Sequence, residues 1–248
     1  MSHTEPQSWP NPRFWQGQAL ALVGSALLML WAFRYWPLDA WIIAPYASPQ
    51  GFTLRDAWIT TRWAHALVKD WVLLISMGLL VMFGLSYWRE KWRQWRQPCG
   101  FLLVAMLLSS GTVGLLKSVS PHACPWDIQA YGGTDLYMPL FSSWPQAKLG
   151  KCFPAGHATT GFGLMAIYLL TRRAGFRYAY GYWLAALILG FGFGWVQMMR
   201  GAHFLSHTLW SAWWVWLVEL LVFALWLRLF KITAQDASIP EKMFTLGR

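Results

Sequence analysis

The chain has 248 residues, of which 56% are apolar and 12% are charged, and its formal net charge is +10 at pH 7. The charged share is about half that of an ordinary soluble domain, which argues against a water-soluble enzyme, and the apolar share excludes a disordered or collagen-like chain. Twenty tryptophans point the same way, because indole prefers the membrane–water interface. The composition therefore predicts a membrane protein.

Six apolar runs, each near the length that crosses a bilayer, predict an all-α protein with six transmembrane helices. In chain order they cover residues 19–36, 71–88, 101–116, 158–171, 180–199 and 209–227. The fourth run is short and begins in the turn at 154–157. We expect one integral membrane domain over residues 1–248, with a leader at 1–18, the helix bundle at 19–231 and a tail at 232–248.

Basic residues gather in the segments that follow spans two, four and six. They are Arg89, Lys91, Arg93, Arg96, Arg172, Arg173, Arg177, Arg228, Lys231, Lys242 and Arg248. The positive-inside rule places these segments, and with them both termini, on the cytoplasmic side of a bacterial inner membrane. Topology and attraction to anionic lipid thus explain the net charge without a nucleic-acid partner.

The opposite, periplasmic side then carries the segments 37–70, 117–153 and 200–206. Two of the three cysteines, Cys124 and Cys152, lie there. In an oxidising compartment they either pair with each other or remain two separate thiols.

Polar residues converge at the periplasmic ends of three spans. Lys117 ends the third span, His157 begins the fourth, and Arg200, His203 and His207 lie between the fifth and the sixth. Pro154 and Gly156 form a turn before a helix start, where free N–H groups bind anions; the alternative is an ordinary helix start with a hydrated histidine. Such a set of cations and imidazoles suits an anionic group held at the interface.

If the run from Arg200 to His207 is helical, Arg200, His203 and His207 lie on one helix face. Histidine is a nucleophile toward phosphorus when a partner holds its other ring nitrogen. Two alternatives stay open, a pair of interfacial histidines that cap the loop and a His-x-x-x-His zinc site.

These motifs resemble the type 2 phosphatidic acid phosphatase superfamily, integral-membrane lipid phosphatases related to vanadium haloperoxidases. That family has six transmembrane helices and the motifs K-x6-R-P, P-S-G-H and S-R-x5-H-x3-D, in this order on the outer side. The matching positions are Lys117 and Pro125, then Pro154, Gly156 and His157, then His203. The departures are Cys124 for the first arginine, Ala155 for serine, Gln197 for the second arginine and His207 for aspartate.

The resemblance implies phosphoryl transfer through a phosphohistidine, without a metal or another cofactor. His203 would attack phosphorus, and His157 would protonate the leaving oxygen and then activate water. Lys117, Arg200 and the Gly156 turn would stabilise the phosphoryl oxygens. His207, or instead Asp127, would replace the missing carboxylate, and His122 would help to replace the missing arginine.

The implied substrate is a lipid phosphate or pyrophosphate in the bilayer, such as undecaprenyl pyrophosphate, a lipid A phosphate, phosphatidate or phosphatidylglycerophosphate. Two alternatives stay open, a lipid-to-lipid phosphotransferase and a non-catalytic lipid-phosphate carrier. Outside the motifs, Gly190, Gly192 and Gly194 predict close helix packing in span five. Glu219 is expected to pair with a basic residue or an indole N–H of a neighbouring helix, or to serve a proton path.

Overall fold

The computed structural model describes residues 10–142 and 149–230, without the side chains of residues 63–69. Most of the described residues are helical; the exceptions are one small antiparallel hairpin of β1 (Ala47–Ser48) and β2 (Gly51–Phe52) and the mostly irregular described residues between 119 and 158. The α-helices are α1 Pro12–Tyr35, α2 Leu38–Ile43, α3 Leu67–Trp88, α4 Arg96–Ser118, α5 Thr159–Phe162, α6 Ala166–Arg173, α7 Ala179–Met199 and α8 Leu205–Leu229. A π-helical segment, Ile59–Ala66, leads into α3, and 3₁₀ turns at Glu90–Trp95 and Gly163–Met165 precede α4 and α6. The predicted all-α membrane fold is confirmed.

Within the described residues, five helices are long and apolar enough to cross a membrane. They are Pro12–Tyr35, Asp70–Trp88, Glu90–Ser118, Ala179–Met199 and Leu205–Leu229. The fourth predicted span is instead divided into α5, a 3₁₀ turn and α6. At 1.5 Å per residue this stretch is about 22 Å long, shorter than the roughly 30 Å of a bilayer core. The count of six spans therefore stays a prediction.

Helix α1 begins inside the segment predicted as a leader. Asn11 caps the helix by accepting a hydrogen bond from the Phe14 N–H at 2.9 Å, and Pro12 occupies the first turn, where its missing N–H costs nothing. Two indoles of α8 fix α1 to the bundle, because Trp213 donates to the Leu22 carbonyl and Trp216 donates to the Gln18 side chain.

The centre of the bundle is formed by α4 and α8, which run antiparallel. Phe101, early in α4, packs edge-on against Phe223, late in α8, with ring centroids 5.5 Å apart. The opposite end of α4, with Lys117, therefore lies near the start of α8, with His207. This packing brings two predicted site residues to the same end of the bundle.

Close helix packing is confirmed for two of the three glycines of α7. A Cβ at Gly190 would overlap the ring of Phe162, and one at Gly194 would overlap the side chain of Thr208, whereas one at Gly192 would meet nothing within 4 Å. Glu219 is fully buried in α8, and neither of its carboxylate oxygens has a hydrogen-bond partner in the described part of the chain. The predicted pairing of Glu219 is thus not seen.

Candidate active site

The three predicted catalytic histidines meet at one end of the bundle. The ring centroids of His157 and His203 are 6.2 Å apart, and those of His203 and His207 are 5.8 Å apart. His203 and His207 are almost completely buried. The structure therefore joins residues that the sequence separates by about fifty positions.

A tight turn between α7 and α8 places His203. Gly201 has a φ of +76°, a conformation that favours glycine, and the Phe52 ring of the hairpin occupies the space where a Cβ would lie. The Ala202 N–H donates to the Gln197 carbonyl at 2.8 Å and closes the turn. Phe204 is extended and caps α8, which begins at Leu205. The prediction that Arg200, His203 and His207 share one helix face is therefore wrong, because a turn at Gly201 and an extended Phe204 separate Arg200 and His203 from the helix.

The turn at 154–157 is tied to the start of α8. The Ala155 N–H donates to the His207 carbonyl at 3.1 Å, and the Ser211 hydroxyl donates to the Ala155 carbonyl at 2.9 Å. Pro154 and Ala155 are buried. These bonds set His157 beside His203.

Anion-binding groups surround the histidines. Lys117 lies in the last turn of α4, close enough to act electrostatically on His203. The N–H groups of Gly156 and Ala158 donate no hydrogen bond within residues 10–142 and 149–230. A Cβ at Gly156 would meet nothing within 4 Å, so the space beside the Gly156 Cα is open. The arrangement offers a cation and free N–H groups to an anion.

The surroundings of His203 keep its imidazole neutral. Burial lowers its pKa well below 6.5, and the positive charges of His207, Lys117 and His157 lower the pKa further. A hydrogen bond to the Cys152 carbonyl opposes them. At neutral pH the ring is therefore unprotonated at one nitrogen, which is the form a nucleophile needs.

Cys124 and Cys152 form a disulfide, so the paired alternative is confirmed. Cys152 Sγ lies 3.5 Å from His203 Nδ1. Donor atoms of Cys152, His203 and His207 lie within 4.8 Å of one another, a spacing that suits a metal ion. A sulfur in a disulfide is no thiolate, however, and thiolate is the form in which cysteine binds zinc. The zinc alternative therefore rests on the two predicted ligands His203 and His207, without Cys152.

Arg200 lies on the other side of the Gly201 turn. Its Nε donates to the Arg55 carbonyl at 3.0 Å, and its Nη1 donates to the Gln197 side-chain oxygen at 3.4 Å. Burial lowers its pKa, while Asp56 nearby raises it. No hydrogen bond joins Arg200 or Gln197 to the three histidines in the described structure, so their role in phosphate binding stays a prediction.

Of the two other accessory candidates, His122 lies near the site histidines and Asp127 does not contact them in the described structure. The ring of His122 packs on Phe153, with centroids 5.4 Å apart, and Phe153 packs in turn on His207. Asp127 instead accepts a hydrogen bond from the indole of its neighbour Trp126 at 3.0 Å. Among the described residues, no hydrogen bond links Asp127 to a site histidine.

Sequence reasoning missed Asp39, which supports the start of α8. Its carboxylate accepts hydrogen bonds from the Ser206 N–H at 2.8 Å and from the Ser206 hydroxyl at 2.6 Å. Burial raises the pKa of Asp39 from 3.8 to about 6, although both bonds favour the ionised form. The one sequence signal is an acidic residue within an apolar stretch of a chain that has only ten acids.

A cavity of about 820 Å³ lies beside this end of the bundle. The end of α1, Asp39, the segment around Tyr131 and Tyr137, and two residues of the α8 start, Phe204 and Trp210, line it. Phe204 also packs on His207, with ring centroids 5.4 Å apart. The cavity and the histidine cluster thus share a wall.

Comparison with known proteins agrees with this geometry. The model of the PAP2 superfamily matches residues 99–231. A lipid A 4'-phosphatase of Francisella tularensis subsp. novicida (strain U112) is 26% identical over 168 residues, which is 66% of this chain and 74% of that protein. No solved structure gives a significant match. The family match covers more than half of the chain and contains the whole histidine cluster, so the protein belongs to the PAP2 superfamily.

Proposed function

We propose that this protein is a membrane phosphatase that removes a phosphate group from a lipid through a covalent intermediate on His203. The observation that carries the proposal is the meeting of His157, His203 and Lys117 at one end of a bundle of membrane-length helices. Membership of the family and the similarity to a lipid A 4'-phosphatase support a phosphatase acting on lipid phosphates.

In the first chemical step, a ring nitrogen of His203 forms a bond to phosphorus while the bond from phosphorus to the leaving oxygen breaks. His157 gives its proton to that oxygen. The ring centroids of His157 and His203 are 6.2 Å apart, so both imidazoles are within reach of one phosphoryl group. Lys117 and the free N–H groups of Gly156 and Ala158 stabilise the negative charge on the other phosphoryl oxygens.

In the second step, His157 takes a proton from water, and the resulting hydroxide oxygen bonds to phosphorus. The nitrogen–phosphorus bond breaks, and its electron pair returns to His203. Inorganic phosphate leaves and the site is restored. These steps use side chains and main-chain N–H groups of this chain together with one water molecule.

The first substrate to test is a phosphorylated glycolipid of the lipid A type, as the name of the similar protein suggests. The cavity next to the histidines is lined mainly by aromatic and aliphatic side chains, with Arg34, Asp39 and Ser142 among them, a lining that suits a largely apolar part of an amphiphile. We place the protein in a bacterial inner membrane, with both termini in the cytoplasm and the histidines facing the periplasm, on the distribution of its basic residues.

The test is phosphate release by the purified protein in detergent, from lipid A bisphosphate, undecaprenyl pyrophosphate, phosphatidate and phosphatidylglycerophosphate. We expect release from at least one of these lipids, no release by His203→Asn, and a radiolabelled protein adduct only when His203 is present. An adduct whose label passes to a second lipid would identify a phosphotransferase. Binding without an adduct or release would overturn the proposal in favour of a carrier.

Two lysines give a matched control. Lys117→Met removes the cation beside His203, and we expect a fall in kcat/KM of about a hundredfold, as for the loss of a transition-state contact. Lys91→Met removes a lysine from the 3₁₀ turn before α4, at the opposite end of the bundle, and should leave kcat/KM unchanged. Equal effects of the two substitutions would contradict the assignment of Lys117.

A further inference from the structure

The mechanism above does not use the contact between His203 and Cys152. Cys152 Sγ lies 3.5 Å from His203 Nδ1 and 2.9 Å from the Ala202 carbonyl oxygen. The Cys152 main-chain carbonyl also acts on the rings of both His203 and His207. Because a disulfide sulfur has no hydrogen, both groups that Cys152 presents to the ring are hydrogen-bond acceptors.

A nucleophilic histidine needs such an acceptor. When one ring nitrogen bonds to phosphorus, the other keeps its hydrogen and the ring becomes positively charged. The ring of His203 is buried, and His207, Lys117 and His157 all disfavour positive charge on it. Among the groups that act on the pKa of His203, the Cys152 carbonyl is the one that favours the charged ring.

The position of Cys152 is fixed from two directions. Its disulfide joins it to Cys124. Its main chain pairs with the segment after α4, because the Lys151 N–H donates to the Ser120 carbonyl at 2.9 Å and the Cys152 N–H donates to the His122 carbonyl at 3.1 Å. Cys152 is fully buried, so water does not compete for the ring hydrogen.

We propose that Cys152, held by its disulfide to Cys124, is the positioning residue for His203, in place of a carboxylate that no described residue supplies. Its sulfur and carbonyl keep the ring hydrogen on Nδ1, so that Nε2 is the nitrogen that attacks phosphorus. This inference rests on the proposed function, because it requires His203 to be the nucleophile.

The first test removes the disulfide with Cys124→Ala/Cys152→Ala and compares Cys99→Ala, which replaces the free buried cysteine of α4. The assay measures phosphohistidine formation in a single turnover with radiolabelled phosphatidate in detergent micelles, together with kcat, KM and Tm. We expect the double variant to form phosphohistidine ten- to a hundredfold more slowly, as when a residue that orients a reactive ligand is lost. KM should change by less than about twofold, and Cys99→Ala should match the wild type.

The second test asks whether a carboxylate can replace the disulfide. The ring centroids of His203 and His207 are 5.8 Å apart, so His207→Asp puts an acidic acceptor within reach of the same ring. We expect removal of the disulfide to slow phosphohistidine formation threefold or less in the His207→Asp background. An equal loss in both backgrounds would show that the disulfide only stabilises the fold, and would overturn the inference.

The outcomes separate this inference from the proposed function. If the wild type forms no phosphohistidine with any lipid of the panel, the proposed function itself fails. If the wild type forms it and the double variant matches the wild type, the inference alone fails. If the Tm of His207→Asp is too low for the assay, the first test still decides on the inference. It compares kcat and KM of the double variant with those of Cys99→Ala, and the inference requires a lower kcat with a nearly unchanged KM.

Discussion

Replacing Asp39 separates the two ways in which a buried carboxylate acts on stability. Both donors of Ser206 that face it are buried. Asp39→Ala leaves these two donors without an acceptor, at about 1–3 kcal/mol for each, or roughly 2–6 kcal/mol for the pair. Asp39→Asn keeps an acceptor for the Ser206 N–H and offers an amide hydrogen to the Ser206 hydroxyl oxygen, so its loss should be under about 1 kcal/mol.

The charge of Asp39 adds a pH dependence. Its folded pKa is raised from 3.8 to about 6, so its contribution to stability is fully present below pH 3.8 and is lost as the pH rises to about 6. At 1.36 kcal/mol per pH unit the loss amounts to about 3 kcal/mol. Asparagine does not ionise, so the free energy of unfolding of Asp39→Asn should rise relative to that of the wild type between pH 4 and 6. Above pH 6 the difference between the two should stay constant.

The assay is thermal unfolding in detergent, followed by the fluorescence of the twenty tryptophans. Both variants remove the charge, so they are compared with each other: at about 2–4 °C per kcal/mol, the Tm of Asp39→Ala at pH 7.5 should lie at least about 2 °C below that of Asp39→Asn, which should equal or exceed the wild type. A Tm of Asp39→Asn as low as that of Asp39→Ala would show that the negative charge, not the acceptor, stabilises α8. A difference between Asp39→Asn and the wild type that does not change with pH would refute the raised pKa.

Two further predictions follow from packing and from titration. Gly161→Ala should cost about 1–3 kcal/mol through overpacking, because its Cβ would overlap the backbone of Gly190, whereas Gly163→Ala, with only Met106 at 3.7 Å, should be neutral; equal Tm values for the two would contradict the close contact of α5 and α7. Because the pKa of His203 lies well below 6.5, protonation of His203 should not reduce kcat/KM until the pH is well below 6.5. A pH–rate profile in which kcat/KM falls by half at pH 6.5, and still does so in every other active variant, would contradict the buried environment of His203.

The sequence predicts the long helices well because hydrophobic burial in lipid is a local property of composition. It errs where local and non-local forces compete. The first helix begins at Pro12 because Asn11 and Pro12 supply a helix start within polar sequence, which a hydropathy criterion does not detect. The fourth span is interrupted between Thr159 and Arg173, in a stretch where Gly161 packs against the backbone of α7.

The candidate site was predictable where its residues lie within short motifs. His157, His203 and His207 are recognisable because each lies in a short motif at the end of a predicted span. The two supporting residues are different: Cys152 contacts His203 across 51 positions, and Asp39 contacts Ser206 across 167 positions. Such contacts depend on how the segments between the spans fold over the bundle, and no periodicity in one sequence encodes that.

The departures from the family pattern change the charge of the site in opposite directions. Lys117 remains, but Cys124 and Gln197 stand for two arginines and His207 stands for the aspartate. A carboxylate here would repel a singly charged phosphate group, with Lys117 as the one motif cation left to offset it. At about 6 Å and an effective dielectric constant of about 40, one such charge is worth about 1.4 kcal/mol.

It follows that His207→Asp alone should raise KM about tenfold, even where it orients His203 as well as Cys152 does. Adding Gln197→Arg should recover most of that loss, because the second substitution restores a cation at a position of the same motif. The matched control is Gln197→Arg in the wild-type background, where KM should fall instead. If His207→Asp leaves KM unchanged and Gln197→Arg lowers KM equally in both backgrounds, charge does not explain why this chain has histidine where the family has aspartate. The orientation of His203 by Cys152 then remains as the explanation of that substitution.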